Sequence, residues 1–128
     1  MSNFNSLHNR AVWFDIPVAD LDRSAAFYRA VLNVKIQKEQ FDDFSFCVLD
    51  HQDGNGGCLV PLAKEISGNA GILVYMNVEG RIRDAVEQTR KLGGKVLEPT
   101  RAIGLHGFRA VVLDNEGNRI ALHSTIDT

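Results

Sequence analysis

The sequence predicts an α+β fold in which two βαβββ modules lie in tandem. Each module is expected to be a four-stranded, curved, mixed sheet with one helix, and the two sheets are expected to enclose a central cavity. Residues 71–96, aligned without a gap beneath residues 11–36, match at five positions and repeat the same pattern of alternating, polar and helical segments. Each half also contains a Gly-Asn turn, at Gly54-Asn55 and at Gly117-Asn118. These observations indicate two copies of one module.

Length and composition favour a single domain over residues 1–128. With 128 residues and a hydrophobic content of 45%, the chain is long enough for one core, whereas two separate domains would each bury too little surface. Module one is expected at about 10–62 and module two at 71–124. The linker, at 63–70, loses periodicity and contains a Ser-Gly-Asn run, which is typical of loops. Residues 1–9 are polar and are expected to form an arm.

Charge and hydropathy limit the partners. The net charge is −2, with acidic and basic residues interspersed, so we expect neither nucleic acid nor a membrane surface as a partner. No apolar run approaches the roughly 20 residues that a spanning helix needs. The first residues lack the charged and apolar regions of a secretory signal. A cytoplasmic protein with a small-molecule partner is therefore expected.

In module one, the alternation predicts a strand at 11–18 and the helical spacing predicts a helix at about 20–32. Asp20 is a candidate N-cap. One parity of the first strand is uniformly apolar and is expected to pack on the helix: Val12, Phe14, Ile16 and Val18. Further strands are predicted at 35–40, 44–49 and 57–62.

Module two repeats this order. Its first strand has its own uniformly apolar parity: Ile72, Val74, Met76 and Val78. The helix is predicted at about 81–92, with Leu92 on its buried stripe, and Gly93-Gly94 supplies the left-handed residue that ends helices. The remaining strands are predicted at about 95–100, 108–113 and 119–124.

The opposite parity of the strands is expected to point away from the helices. Its residues mix aromatic, aliphatic and polar types: Trp13, Asp15, Leu73, Tyr75, Asn77, Ala121 and His123. Such a mixture is typical of a small-molecule pocket with a few orienting polar groups. Alternatively, Asp15, Asn77 and His123 lie near strand ends and meet solvent, as isolated polar residues in strands usually do.

Two stretches carry a resemblance to a known family. DIPVADLDRSAAFYRAVL opens the first half and GFRAVVLDNEGNRIALHS closes the second. With the doubled βαβββ pattern, they resemble the vicinal oxygen chelate superfamily of glyoxalases, bleomycin resistance proteins and dioxygenases, over about residues 10–124. The resemblance implies a chain that forms a homodimer, and in metal-using relatives a divalent ion held by strand residues of both modules.

The family's metal-ligand positions are degenerate in this sequence. The two first-strand histidine positions fall on Trp13 and Leu73, and the closing-strand carboxylate position falls on Ala121. Its counterpart in module one falls on Gly57 or Cys58. An indole or an aliphatic side chain cannot bind a divalent ion, and Cys58 with His123 would supply two donors where at least three are needed. We therefore expect no metal cofactor. Cys47 and Cys58 lack CxxC or disulfide spacing and are expected to be buried.

Two functions from different classes then remain. The first is binding of a partly aromatic or carbonyl-containing molecule in a pocket lined by Trp13, Cys58, Leu73, Tyr75, His106 and Ala121. The second is a metal-independent lyase or isomerase acting on a small carbonyl compound. In that case Asp15 or His123 carries a proton, and Tyr75 or His106 donates a hydrogen bond to a developing oxyanion. His106 lies in a loop before a strand, and its alternative role is an ordinary surface residue, as we expect for His8 and His51.

Overall fold

The computed structural model describes residues 11–128, the side chain of Phe41 excepted. The arm expected at 1–9, with His8, lies outside this range. The predicted fold class is confirmed, since the chain forms two four-stranded mixed sheets with one helix each. The strand orders, β1-β4-β3-β2 and β5-β8-β7-β6, are equivalent in the two modules.

The element order is βαβββ in both halves. Module one contains β1 Asp15–Pro17, α1 Leu21–Leu32, β2 Ile36–Phe41, β3 Phe44–Leu49 and β4 Cys58–Val60. Module two contains β5 Val74–Asn77, α2 Ile82–Lys91, β6 Lys95–Ala102, β7 Phe108–Leu113 and β8 Arg119–Ser124. Short 3₁₀ turns occupy Ala63–Glu65 and Gly104–His106. In each sheet the first strand pairs parallel with the last, and the other pairs are antiparallel.

The first strand of each module is shorter than predicted. β1 covers three of the eight residues at 11–18, because its partner β4 is itself three residues long. Pro61 follows β4 directly, and without an N–H group it cannot extend the ladder. β5 begins at Val74, so that Ile72, expected on the packed parity, is instead 90% exposed.

The helix ends follow the sequence signals. Asp20 caps α1, and its Oδ1 accepts a hydrogen bond from the Arg23 backbone N–H at 3.1 Å. Beyond α2, Gly93 has a φ of 93°, the left-handed conformation that glycine adopts without steric cost. Leu92, expected on the buried stripe, is 36% exposed because α2 ends at Lys91.

One hydrophobic core cluster includes residues of both modules. The helices contact each other, and the apolar parities of the first strands pack toward them, with Ile16, Val18, Met76 and Val78 at most 5% exposed. Val12 at the start of this parity is half-buried. The core therefore lies on the helix side of the sheets.

A polar network joins the modules, and its Tyr28–Asp114 contact is buried. Tyr28 on α1 donates a hydrogen bond from its hydroxyl to Asp114 Oδ2 at 2.7 Å. Asn118 donates from Nδ2 to the Pro17 carbonyl at 2.7 Å. Glu116 Oε2 accepts from the backbone N–H of Asp20 at 2.5 Å, at the start of α1. The β7–β8 turn of module two is therefore bonded to β1 and α1 of module one.

The sheets are open on the side away from the helices. Asp15 and Asn77 are exposed, and Tyr75 is 46% exposed. The predicted parity of these strands is therefore observed, while the space that they face is open to solvent in the single chain. Over residues 11–128, neither helix has the length and apolar character needed to cross a membrane.

Candidate functional site

The register of the second sheet brings its polar residues together. His123 on β8 lies between Asn77 on β5 and Arg109 on β7 in the strand ladder. Ala121, one pleat earlier on the same face, lies between Tyr75 and Val111. Ala121 is fully buried, so the strand position where a metal-using relative would place a carboxylate holds a covered methyl group.

Arg109 organises this cluster. Its Nε donates to Glu98 Oε1 at 3.1 Å and its Nη2 to Glu98 Oε2 at 3.5 Å. Its Nη1 donates to the Tyr75 hydroxyl oxygen at 2.5 Å, and its Cζ lies 5.9 Å from the centre of the Tyr75 ring. Glu98 also accepts from Arg101 Nε at 2.7 Å. Hydrogen bonds from Arg109 first, and then from Arg101, hold the pKa of Glu98 below its usual value, so Glu98 remains a carboxylate at neutral pH.

The tautomer of His123 follows from its partner. Its Nε2 lies 2.6 Å from the backbone carbonyl oxygen of His106. Because a carbonyl oxygen only accepts, Nε2 carries the proton in this contact, and Nδ1 is the acceptor in the neutral ring. The His123 and Tyr75 ring centres are 6.2 Å apart. His106, at the end of the Gly104–His106 turn, thus contributes its backbone carbonyl to the cluster. The residue itself is exposed to solvent.

A second polar set lies in module one. Asp15 on β1 is opposite Cys58 on β4, and the Cys58 thiol donates to Asp15 Oδ1 at 3.2 Å. Burial, more than the hydrogen bond and charge of Asp15, raises the pKa of Cys58 to about 11, and a hydrogen bond with Trp13 acts in the opposite direction. Cys58 is therefore a protonated thiol at neutral pH, and Asp15 accepts a hydrogen bond from it.

Trp13 lies at the edge of this set. It is half-buried, and its ring meets His51 edge-on, with centres 5.9 Å apart and an interplanar angle of 86°. His51 lies in the β3–β4 connection, which sequence reasoning treated as a solvated turn. Cys47, on the core side of β3, is 1% exposed. Leu73 is half-buried and directly precedes β5.

Residues of both modules line an open groove of about 750 Å³. Its lining includes Phe14, His51 and Gly57 of module one, and Tyr75 and Asn77 of module two. A Cβ atom on Gly57 would lie 2.5 Å from the Phe14 ring, so the absence of a side chain there is what lets the ring pack against the strand. The ring of His51, which contacts Trp13, and the phenol of Tyr75 therefore line one groove.

Sequence reasoning did not identify Arg109 and Glu98 as site residues. An arginine in the otherwise apolar strand at 108–113 was a usable signal, because alternation places residue 109 on the sheet face that points away from the helices. We call this the helix-free face. Glu98 had no comparable signal, since it reaches Arg109 through register shifts in β6 on either side of it. Such a bulge re-aims side chains in a way that strict alternation does not predict.

Comparisons of the sequence and of the structure both find similarity to glyoxalase and bleomycin resistance-like proteins. Residues 10–49 match a family model described as bleomycin resistance protein-like N-terminal. A lactoylglutathione lyase from Oryza sativa subsp. japonica is 31% identical over 123 residues, which cover 86% of this chain and 42% of the rice protein. The chain thus spans less than half the length of that curated relative.

Solved structures share the fold at low identity. A glyoxalase/bleomycin resistance protein/dioxygenase family enzyme from Burkholderia phytofirmans PsJN has a TM-score of 0.68 at 18% identity, covering 89% of this chain and 97% of that chain. A variant of the fosfomycin resistance protein of Listeria monocytogenes, solved with manganese(II) and 1S,2S-dihydroxypropylphosphonic acid, also has a TM-score of 0.68. Its identity is 14%, with 93% of each chain covered.

Proposed function

Because the chain belongs to the vicinal oxygen chelate superfamily of glyoxalases, bleomycin resistance proteins and dioxygenases, we propose that it binds a small, partly aromatic or carbonyl-containing molecule without the family's divalent metal. The proposed site is the helix-free face around Tyr75 and His123, together with the adjoining groove. Superfamily membership alone does not select a ligand, because one fold supports many chemistries.

The observation that carries this proposal is the environment of Tyr75. A tyrosine at 46% exposure on a sheet face offers a flat apolar surface with a polar end, which suits stacking against a flat ligand. The ring is not free to turn, because Arg109 both donates to its hydroxyl and lies over its face. An aromatic surface that is exposed and already oriented supports recognition of a ligand with little ordering cost.

The proposal that the metal is absent rests on the chemistry of the donors. The family positions hold an indole at Trp13, an alkyl group at Leu73 and a buried methyl at Ala121. At the fourth position Cys58 would supply one sulfur donor, and a metal site needs at least three donors. Among residues 11–128, His, Cys, Asp and Glu do not gather in threes at metal-binding distance. The residues present therefore do not fit the metal, and no step of the proposed function depends on one.

Metal analysis tests this directly. Protein purified without chelator and analysed by inductively coupled plasma mass spectrometry is expected to contain far less than one equivalent of manganese, iron, nickel or zinc per chain. Dialysis against each ion, followed by a desalting column, is expected to leave the metal content unchanged. One tightly held ion per chain would refute the metal-free site while leaving the superfamily assignment intact.

Ligand binding is tested with the chain's own fluorophore. Trp13 is the one tryptophan in the sequence, and its half-buried ring lies beside His51. We expect aromatic and α-oxo compounds that occupy the groove to change its emission saturably and to raise the melting temperature, since a ligand of the native state stabilises it. Substitution Tyr75→Ala is expected to weaken binding, whereas Leu105→Ala, a change at a fully exposed side chain, is not. Equal affinity in the two variants would contradict the proposed site.

A metal-independent lyase or isomerase is the second candidate, and the structure favours His123 over Asp15 as its proton carrier. The His106 carbonyl fixes the proton on Nε2, so that Nδ1 is the basic atom, as a general base requires. Asp15 already accepts a hydrogen bond from the Cys58 thiol. If a bound ligand emerges chemically unchanged after long incubation, this candidate is rejected. Turnover that disappears in both Asp15→Asn and His123→Ala would instead reject pure binding.

The proposal includes a homodimer in the cytoplasm. Exposed apolar side chains on the sheet strands, Phe44 at 39% and Leu97 at 44%, provide surface that a second chain could cover. Light scattering after size exclusion is expected to give twice the chain mass of 14.2 kDa. A constant monomer mass at about 100 μM would refute the dimer; this concentration is well above the Kd of a stable interface.

A further inference from the structure

We propose that Tyr75 and Arg109, with Arg109 oriented by Glu98, form an anion-binding corner, and that the ligand class is a small carboxylate. This inference deepens the proposed function and rests on it. It adds the ionic character of the ligand and assigns the group that binds the charge. It also makes Glu98 a positioning residue, since its carboxylate contacts arginines and not the ligand.

The charge balance of the cluster favours an anion. Arg101 and Arg109 carry one positive charge each and share a single carboxylate, Glu98, so the trio has a net charge of plus one. Both Glu98 oxygens are engaged, Oε1 by the two Nε groups and Oε2 by Arg109 Nη2. The carboxylate is thus satisfied and the excess charge is on the guanidinium groups. A cationic ligand would be repelled here, and a neutral ligand would gain less from the charge than an anion.

The hydrogen-bond direction at Tyr75 makes it a donor toward the solvent side. Arg109 Nη1 has only protons to give, so the Tyr75 oxygen accepts in that contact. The phenol proton is then available to a ligand oxygen, and the neighbouring positive charge strengthens the bond that it makes. A carboxylate oxygen placed against this hydroxyl meets a polarised O–H group and a guanidinium on the same side.

His123 defines the other side of the corner. Its ring centre is 6.2 Å from that of Tyr75, and its Nε2–H is directed to the His106 carbonyl. Arg109 and His123 are direct neighbours across the β7–β8 ladder. A ligand held by Arg109 and Tyr75 would therefore lie beside the imidazole of His123.

The test compares two probes that differ in one charge, benzoylformate and its methyl ester, by isothermal titration calorimetry. The wild-type chain is expected to bind the acid at least about tenfold more tightly than the ester, as expected for a charge-assisted hydrogen bond. In Tyr75→Phe and in Arg109→Met, acid affinity is expected to fall by about tenfold or more, with ester affinity nearly unchanged. Tyr75→Phe keeps the ring and its packing, so it isolates the hydroxyl.

Arg83 offers a matched control. Like Arg109, it pairs with a carboxylate through two atoms, Nε to Asp127 Oδ1 at 3.0 Å and Nη2 to Oδ2 at 3.3 Å, but it lies on α2. Arg83→Met removes the same charge from the protein and is expected to leave the acid-to-ester ratio unchanged. A ratio that falls equally in Arg83→Met and Arg109→Met would show an effect of net charge and overturn the inference.

The remaining outcomes separate the inference from the function on which it rests. Equal affinity for acid and ester in the wild-type chain, with both weakened by Tyr75→Ala, would overturn the carboxylate class and leave the proposed binding site standing. Absence of binding by both probes at millimolar concentration would count against the proposed function and, with it, against the inference. An acid preference that survives in Tyr75→Phe would remove Tyr75 from the corner.

Discussion

Tyr28→Phe removes one hydroxyl group from the buried contact between α1 and the β7–β8 turn. Tyr28 is fully buried and Asp114 is 2% exposed, with 2.7 Å between the hydroxyl and the carboxylate oxygen. Asp114 retains three other donors in the variant: the backbone N–H groups of Glu116 and Asn118 at 2.9 Å, and Asn118 Nδ2 at 3.0 Å. The substitution therefore weakens the network without leaving its carboxylate unpaired.

A hydrogen bond to a charged group contributes about 1.5–3 kcal/mol to stability, so we expect the free energy of unfolding to fall by that amount. For a chain of this length, the corresponding drop in melting temperature is about 6–12 °C. Equilibrium urea unfolding measures the change, and the slope with denaturant is expected to stay constant because the same surface unfolds. Tyr75→Phe is the matched control: it removes the hydroxyl of the chain's other tyrosine, which is 46% exposed, and is expected to cost less than about 0.5 kcal/mol.

The pH dependence provides a second readout. Burial first, and then the Asp114 carboxylate, raise the pKa of Tyr28 well above its usual value. The folded state thus favours the protonated phenol, whose contribution is complete below the ordinary pKa of about 10 and is lost as the pH rises above it. Wild-type stability is expected to fall faster than that of Tyr28→Phe above about pH 10. Equal stability of the two proteins at neutral pH, or parallel pH profiles, would show that the Tyr28–Asp114 hydrogen bond does not stabilise the contact between the modules.

Two further predictions concern the Cys58 thiol and the cap at the start of α1. Because the pKa of Cys58 is raised to about 11 from 9.0, its alkylation by iodoacetamide, located by peptide mass spectrometry, is expected to keep rising with pH beyond 9. Asp15→Asn is expected to accelerate this reaction at fixed pH and Trp13→Phe to slow it, since their hydrogen bonds shift the pKa in opposite directions; equal rates would contradict the contact. Glu116→Gln weakens the acceptor for the Asp20 N–H at the start of α1 and is expected to cost about 1 kcal/mol in urea unfolding. An unchanged midpoint would show that the cap contributes nothing.

The module order and packed parities could be predicted because they depend on local pattern. Apolar residues at every second position have to face a core, and Ile16, Met76 and Leu122 do so whatever the details of pairing. The extent of the first strands could not be predicted in the same way. A strand continues only while a partner offers hydrogen bonds, and the length of β4 is set beside Pro61, more than forty residues away from β1.

The candidate site was predicted in part for a similar reason. Tyr75, Ala121 and His123 share a face through simple alternation and parallel register. The pairing of Arg109 with Glu98 depends on the irregular register of β6, and the donor to Asp15 depends on the rotamer of Cys58. Neither is encoded in the spacing of residue types along the chain. An ion pair across an irregular register, such as that of Arg109 with Glu98, can be identified only from a three-dimensional structure.

Several of the residues that carried the resemblance have structural roles. Tyr28 of the opening motif and Asp114 of the closing motif meet in one buried hydrogen bond, and Glu116 and Asn118 of the closing motif bond to the backbone of module one. These contacts hold the two modules in their relative position and do not reach the helix-free face. A chain can therefore keep these contacts whatever residues stand at the positions of Trp13, Leu73 and Ala121. For this reason the motif predicts the fold well and the chemistry poorly, and the function has to be argued from Tyr75, Arg109 and their neighbours.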